Sequence, residues 1–228
     1  EEISEQLDII PAQVRVIRHI RKKYACPRCE MAPITAPLPA QPIPKSNASA
    51  GLLAHIAVAK YQDALPLHRQ EAILQRAGID LSRQTLARWM IQAADLLQPL
   101  HNLLRDALLS GPVIHCDETV VQVLKEPDKP PQSQSYMWVQ AGGPSLHNII
   151  LYDYHPSRSG QVPLHLLEGY RGYLMTDGYE GYNAIAASDG ITHLCCWVHA
   201  RRKGVEAKRA QPKPKGAAKT GKVDVALN

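Results

Sequence analysis

Two stretches of the sequence each end an apolar run in a carboxylate. In residues 113–119 the run leads to Asp117, and in residues 174–178 it leads to Asp177. This pattern is typical of a buried β-strand that delivers an acidic side chain at its solvent edge. Two carboxylates on neighbouring strand ends can hold a divalent metal ion, and such sites catalyse phosphoryl transfer. A single Asp more simply caps a turn, but two, each on its own apolar strand, favour the metal site.

The residues next to these two Asp have predicted roles of their own. Side chains alternate along a strand, so Glu118 should point away from Asp117 and have a structural rather than a metal-binding role. His115 shares the parity of Asp117, and it either lines the site or is an ordinary half-buried histidine. Gly178 directly follows Asp177 and suits a tight turn that leaves room for the backbone of a substrate.

A Cys-x-x-Cys pair near the start of the chain, Cys26 and Cys29, has the spacing of half a zinc site. Zinc takes four ligands in such sites, and only His19 is close enough in sequence to suggest a third. The alternative is a redox pair, although no βαβ pattern surrounds it.

Three further soft ligand types, Cys195, Cys196 and His199, fall within five positions at the end of a predicted strand. That spacing makes a poor tetrahedron, so the two Cys are interpreted as small strand residues. The chain has five Cys in all, and in an intracellular protein they are not expected to form a disulfide framework.

Composition indicates an ordinary soluble protein. Apolar residues make up 45% of the chain and Phe is absent, so the core should be aliphatic with some Tyr and Trp. Neither a signal peptide nor a long apolar run is present, which predicts a cytoplasmic protein with no membrane partner. The chain opens with Glu1 rather than Met, and we interpret it as incomplete.

Positive charge is concentrated near the C-terminus. The net charge is +5, whereas residues 201–222 alone hold nine Lys or Arg and one Glu, a local balance of +8. A basic tail indicates a polyanion partner, with nucleic acid as the first candidate, and a solubilising tail as the alternative. Arg201, Arg202 and Lys203 should open a helix, where cations oppose the helix dipole unless phosphate compensates. We interpret them as contacts to the DNA backbone, with ordinary surface exposure as the alternative.

Helical periodicity covers residues 51–111, after a Pro-rich segment, residues 33–50, that is expected to be an extended linker. Gly78 is placed to stop one helix and Ser82 to cap the next. Pro99 should kink or restart the second helix.

Basic and amide side chains fall early in that second helix, at Arg83, Gln84 and Arg88. A recognition helix of a helix-turn-helix motif would present such residues to base edges and phosphates. An ordinary αα-hairpin with a polar outer face is the alternative.

Strand patterns begin after Pro112. Strands are predicted at residues 113–124, 136–141, 147–154, 172–175 and 191–197, and helices at residues 160–168, 179–187 and 199–209. Short connections between the first three strands predict an antiparallel meander, and helices between the later ones predict parallel strands. The fold class is therefore α/β with a mixed sheet.

Several motifs in this order resemble those of transposases of the insertion-sequence-66 family. The motifs are His115-Cys116-Asp117-Glu118-Thr119, Tyr136-Met137-Trp138-Val139, Thr176-Asp177-Gly178-Tyr179-Glu180-Gly181-Tyr182 and Cys196-Trp197-Val198-His199-Ala200-Arg201-Arg202-Lys203. Upstream, the segment around Cys26 and Cys29 resembles the end of that family's zinc-finger segment, and residues 54–89 resemble its helical region. The resemblance extends over essentially the whole chain.

The resemblance implies an incomplete ribonuclease H-like domain and a DNA transposase of the DDE type. Such an enzyme cleaves phosphodiester bonds and transfers strands at the ends of an insertion sequence, using Mg²⁺ or Mn²⁺. Asp117 matches its first catalytic carboxylate and Asp177 its second. The third, a Glu on a later helix, is expected beyond the end of this chain, because neither Glu206 nor Asp224 lies in a matching motif. The fragment is therefore expected to be inactive alone.

The resemblance also implies partners and a location. The partners are double-stranded DNA, as element terminal repeats and as target, and further copies of the chain in a homo-oligomer. Zn²⁺ is expected in the full-length protein, and the location is the bacterial cytoplasm in association with the nucleoid.

Four segments are predicted from these patterns: a partial zinc-finger segment (1–32), a Pro-rich linker (33–50), a helical DNA-binding-like region (51–111) and the N-terminal part of the catalytic domain (112–228). Three functions are consistent with them. The first is a transposase, the second a catalytically inactive DNA-binding remnant of one, and the third a metal-dependent nuclease on the same fold.

Overall fold

The computed structural model describes residues 3–9, 13–28, 32–144 and 148–210. In chain order the elements are β1 (Lys23–Tyr24), β2 (Ile34–Thr35), α1 (Ala50–Tyr61), α2 (Leu67–Arg76), α3 (Arg83–Leu109), β3 (Val113–Gln122), β4 (Gln134–Gly142), β5 (Ile149–His155), α4 (Gln161–Leu166), β6 (Gly172–Thr176), a 3₁₀ turn (Glu180–Tyr182), α5 (Asn183–Ala186), β7 (Ile191–Cys195) and α6 (Trp197–Ala210). The chain divides into two compact units, residues 1–98 and 99–228. No helix in the described ranges combines the length and the apolarity that a membrane span requires.

The first unit is built on helices whose ends follow the sequence signals. Gly78 has a φ of +78°, the left-handed conformation that ends α2 without cost to a residue lacking Cβ. The hydroxyl of Ser82 accepts a hydrogen bond from the Thr85 N–H at 3.3 Å, which makes Ser82 the cap of α3. The predicted sequence of helix, glycine turn and helix is confirmed.

The core of this unit includes part of the Pro-rich segment. Ile43 and Ala48 are buried and pack with Leu53, Ile56 and Leu86. The same segment also contributes β2, which pairs antiparallel with β1. Residues 33–50 therefore include packed structure in addition to extended chain.

Helix α3 continues through Pro99 as one element of 27 residues, so the alternative that the helix restarts there is wrong. Proline removes one intrahelical hydrogen bond, and the remaining turns on both sides hold the helix together. The division between the two units falls at this point, between Gln98 and Pro99.

The second unit contains a five-stranded mixed sheet with the order β5-β4-β3-β6-β7. Strands β3, β4 and β5 pair antiparallel, whereas β6 is parallel to β3 and β7 is parallel to β6. The predicted α/β class, with a three-strand meander followed by helix-linked parallel strands, matches this topology.

One face of the sheet packs against the short helices and the end of α3. Ile114, Trp138 and Leu174 from three adjacent strands lie at the centre of this core with Leu108 and Tyr182. Because side chains alternate along β3, this packing fixes which residues face the other side.

The predicted end of the last strand differs from the structure. The last strand ends at Cys195, and Trp197 already belongs to α6, so the predicted strand at residues 191–197 is two residues too long. The apolar run Cys195-Cys196-Trp197 is typical of a buried strand, but Trp197 is 83% exposed, so this apolar residue does not enter the core. The predicted start of the third strand at His147 lies outside the described residues.

Candidate metal and phosphoryl-transfer site

Asp117 lies on β3 and faces away from the packed core. Its neighbours Ile114 and Cys116 are buried, whereas the side chain of Asp117 is 56% exposed. One carboxylate oxygen accepts a hydrogen bond from the Glu118 N–H at 2.9 Å. The other lies 3.5 Å from the Nε2 atom of His199.

Asp177 lies directly after β6, the parallel neighbour of β3. The pairing register runs from Val113 opposite Tyr173 to His115 opposite Met175. The recorded pairing of β3 with β6 ends at His115 and Met175, and Asp117 is paired across the sheet with Val139 of β4. Oδ1 of Asp177 accepts a hydrogen bond from the Tyr179 N–H at 2.9 Å, which fixes the turn that follows the strand. Asp177 thus follows the end of its strand, whereas Asp117 lies in the middle of β3, which continues to Gln122, so the predicted delivery of Asp117 at a strand end is wrong.

A cleft of about 180 Å³ opens beside Asp117. Its walls come from three strands and from the start of α6. The lining residues are His115, Cys116, Asp117, Val139, Ala141, Met175, Thr176, Cys196 and His199. His115 thus lines the cleft, which agrees with the first of its two predicted roles, lining the site.

His199 is the site residue that sequence reasoning set aside. It lies in the first turn of α6, and its Nε2 atom faces Asp117. Its Nδ1 atom is buried without a hydrogen-bond partner in the described part of the chain. The sequence signal that could have identified His199 is the order of the strands. The carboxyl ends of parallel strands lie on the same side of a sheet, so the residues after β7 lie beside those after β6. Cys196 shares this cleft, whereas Cys195 is exposed on β7.

Glu118 faces the opposite side of β3 from Asp117, as predicted. Its side chain is only 1% exposed and forms an ion pair with Arg158 at 2.5 Å. The hydroxyl of Tyr182 donates a second hydrogen bond to it at 2.5 Å. A carboxylate engaged in this way has a structural role rather than a place in the cleft.

The described residues hold no group of three or more His, Cys, Asp or Glu side chains arranged to bind a metal ion. Asp117, Asp177 and His199 therefore do not form such a group of three, and at most one or two of them could bind the same ion as the structure stands. Mg²⁺ commonly binds through one or two carboxylates and keeps several water ligands, so this number of ligands is compatible with that ion.

The basic residues that were assigned to DNA lie on two helices, one in each unit. Arg83, Gln84 and Arg88 are located at the start of α3, and all three are exposed. Arg201, Arg202 and Lys203 are exposed in the first half of α6, and the rest of the basic tail from residue 211 lies outside the described residues. In the zinc half-site, Cys26 is exposed and Cys29 lies outside the described residues.

The described residues thus define an α/β protein with a five-stranded mixed sheet, in which Asp117 lies on β3 and Asp177 follows the neighbouring strand β6. Residues 45–227 match the family model for the transposase IS66 family. Residues 1–30 match the model for the zinc-finger binding domain of transposase IS66. The chain belongs to the IS66 family of transposases, and the resemblance found in its motifs is confirmed.

Relatives of this chain occur in Sinorhizobium fredii. The chain is 35% identical over 226 residues to the uncharacterized protein y4jD, a match that covers 94% of this chain and 44% of that protein. It is 34% identical to the uncharacterized protein y4qI, over 89% of this chain and 40% of that protein. The chain therefore spans less than half the length of these curated relatives.

A solved structure shows a more distant similarity. A chain of the simian T-cell lymphotropic virus intasome, in complex with PP2A regulatory subunit B56 gamma, aligns over 56% of this chain and 53% of that chain. The identity is 14% and the TM-score is 0.28, which is too low to support an argument.

Proposed function

We propose that residues 112–228 form the N-terminal part of a ribonuclease H-like catalytic domain in a DNA transposase, and that Asp117 and Asp177 bind its divalent metal ions. The observation that supports this proposal is that β3, which carries Asp117, and β6, which directly precedes Asp177, are parallel neighbours in the sheet. The order of the strands, an antiparallel meander followed by parallel strands, supports the same fold.

The donor set fits a hard divalent cation. The side chain of Asp117 is half exposed and lines the cleft, and its Oδ2 atom lies near His199. Carboxylate oxygens are the ligands that Mg²⁺ and Mn²⁺ prefer, and the imidazole of His199 would suit Mn²⁺ better than Mg²⁺. When bound, a pair of such ions activates the attacking oxygen and stabilises the leaving oxygen of a phosphodiester.

The chain's own residues then have separate tasks. Asp117 would hold both ions and Asp177 one of them, while the Tyr179 N–H orients the Asp177 carboxylate. Basic side chains at the start of α3 and in α6 would bind the phosphates of double-stranded DNA, the element ends and the target. Cys26 and Cys29 would bind Zn²⁺ together with further ligands, and the protein would act as a homo-oligomer on bacterial DNA.

Metal binding tests the proposal directly. Free Mn²⁺ is titrated by electron paramagnetic resonance against the chain and against Asp117→Asn, Asp177→Asn and Asp153→Asn. We expect the first two substitutions to weaken Mn²⁺ binding at least about 10-fold, because each removes a charged ligand. Asp153→Asn serves as the matched control, since Asp153 pairs with Arg105 on the packed face of the sheet.

Two outcomes would overturn the metal site: a parent chain that binds no Mn²⁺, or Asp117 and Asp177 variants that bind as well as the control. DNA binding that survives under either outcome would support a DNA-binding remnant instead. In the whole protein, products that are cut but never joined to target DNA would support a nuclease.

A further inference from the structure

Arg158 lies between the two segments that carry Asp117 and Asp177. Its Nε atom donates a hydrogen bond to Oε1 of Glu118 at 2.8 Å, and one terminal nitrogen lies 2.5 Å from the same oxygen. Its Cζ atom lies 3.7 Å from the ring centroid of Tyr179. One planar cation thus contacts the residue after Asp117 and a residue two positions after Asp177.

Tyr179 completes the connection in the other direction. Its hydroxyl donates a hydrogen bond to the Arg158 carbonyl oxygen at 2.8 Å. Its backbone N–H donates to Oδ1 of Asp177 at 2.9 Å. A displacement of the Tyr179 ring would therefore be transmitted to the Asp177 carboxylate through one residue of backbone.

The Glu118 end of this network is buried. Glu118 is 1% exposed, and its second oxygen accepts the hydrogen bond from Tyr182, which is itself fully buried. Tyr182 packs edge-on against Tyr179, with ring centroids 6.1 Å apart. The Glu118 end of the ion pair is therefore shielded from water, whereas the Arg158 side chain is 41% exposed.

The residue types in this network favour a role in fixing orientation in addition to stability. An apolar group of similar volume often stabilises a core as well as a buried ion pair does, whereas an ion pair fixes orientation. A guanidinium held to a carboxylate and stacked on an aromatic ring has little freedom to rotate. Such a contact suits a place where two chain segments must keep a set separation.

We propose that Glu118, Arg158 and Tyr179 form a clamp that positions Asp117 and Asp177 relative to each other. The clamp rests on the proposed function in that the two carboxylates are taken as the metal ligands. The three clamp residues touch neither metal nor substrate and act as positioning residues through their neighbours.

The test uses the full chain with Glu118→Gln, Arg158→Lys and Tyr179→Phe, and with Asp153→Asn as the matched control. The Nη2 atom of Arg105, on α3, donates to both carboxylate oxygens of Asp153, on β5, at 2.8 Å, so Asp153→Asn should lower stability without disturbing the clamp. Two quantities are measured beside thermal stability: the hydrogen-exchange rate of the Tyr179 amide, and Mn²⁺ affinity.

We expect the clamp variants to raise the exchange rate of the Tyr179 amide about 10-fold and to weaken Mn²⁺ binding by about 10-fold, the lower end of the range for residues behind metal ligands. Tyr179→Phe is the sharpest variant because it removes only one hydroxyl, so its melting temperature should stay near that of the parent. It also keeps the test open if Glu118→Gln fails to fold.

The amide exchange separates this inference from the proposed function. A parent chain that binds no Mn²⁺ rejects the metal site, and the clamp is then judged on exchange alone. The clamp is overturned if the three variants lose stability as Asp153→Asn does while the exchange of the Tyr179 amide stays at the parental rate.

Discussion

The Cys116 thiol lies on the packed face of the sheet, and the exposed Asp117 is the next residue along β3. The hydroxyl of Tyr182 lies 3.7 Å from its sulfur, and the residue is 2% exposed. The pKa of this thiol is raised from 9.0 to about 12, chiefly by burial; the hydrogen bond from Tyr182 lowers the pKa, and the nearby Glu118 and Asp117 carboxylates raise it. The thiol is therefore protonated and unreactive at neutral pH.

The raised pKa predicts a pH dependence of stability. Between pH 9 and 12 the unfolded chain loses the Cys116 proton while the folded chain keeps it, so the contribution is fully present below pH 9 and is lost as pH rises. The free energy of unfolding should fall between pH 8 and pH 10, and we expect this fall to be smaller by roughly 1 kcal/mol in Cys116→Ala than in the parent chain. Urea denaturation at both pH values measures the difference.

Cys195→Ala is the matched control for this prediction, because Cys195 is exposed on β7. Buried Tyr170 and Tyr182 also have raised pKa values, chiefly through burial, so only the difference between the two variants isolates the Cys116 thiol. Equal pH slopes for Cys116→Ala and Cys195→Ala would contradict the prediction.

At the residue scale, strand parity alone separates Asp117 from Glu118 correctly. The apolar pattern of β3 is strong enough to determine which side chains enter the core. The contact between His199 and Asp117 could not be read in the same way, since it depends on where β7 ends and α6 begins. A one-residue shift of that boundary would turn His199 away from the cleft.

At the element scale, the start of β6 depends on one glycine. Gly172 has a φ of +153°, and a Cβ atom there would lie 2.6 Å from the Tyr170 hydroxyl oxygen and 2.8 Å from the Pro112 carbonyl oxygen. That hydroxyl donates a hydrogen bond to the Tyr173 carbonyl at 3.0 Å. The turn into β6, which leads to Asp177, has no room for a side chain.

We expect Gly172→Ala to lower the free energy of unfolding by about 1–3 kcal/mol, through backbone strain and steric overlap. Gly178→Ala is the control, because nothing lies within 4 Å of its Cβ position, and it should change stability by less than about 0.5 kcal/mol. The midpoint of urea unfolding measures both. Identical midpoints for the two variants would show that the turn can relax around a methyl group.

The element boundaries show what local sequence can and cannot determine. Caps at Gly78 and Ser82 are local signals, and the helices end and begin at them. Helix α3 passes Pro99 because the helical turns on either side outweigh one missing hydrogen bond. The ladder between β1 and β2 has two residues per strand, too few for any periodic pattern to predict.

At the scale of the whole molecule, the basic residues proposed to bind DNA fall into two groups, one in each unit. Arg83 and Arg88 belong to the first unit, whereas Arg201, Arg202 and Lys203 belong to the second. Each unit therefore has its own candidate basic contacts to a polyanion, and the contribution of each group can be measured separately.

Salt dependence measures these contributions as numbers of phosphate contacts. Removing one phosphate contact lowers the slope of log K against log salt by about 0.9 for duplex DNA. We expect the triple Gln variant at Arg201, Arg202 and Lys203 to lower the slope by up to about 2.7, and the double variant at Arg83 and Arg88 by up to about 1.8. Fluorescence anisotropy with a labelled duplex at several salt concentrations gives both values.

Arg171→Gln is the control for this measurement, because Arg171 is exposed and already paired with Asp189 at 3.3 Å. This substitution changes the net charge by the same amount as any single Arg but should leave the slope within about 0.3 of the parent, well below the roughly 0.9 of a single phosphate contact. If the control and the α6 variant lower the slope equally per charge, binding follows net charge alone. A fall confined to α3 and α6 variants would instead assign the phosphate contacts to these two helices.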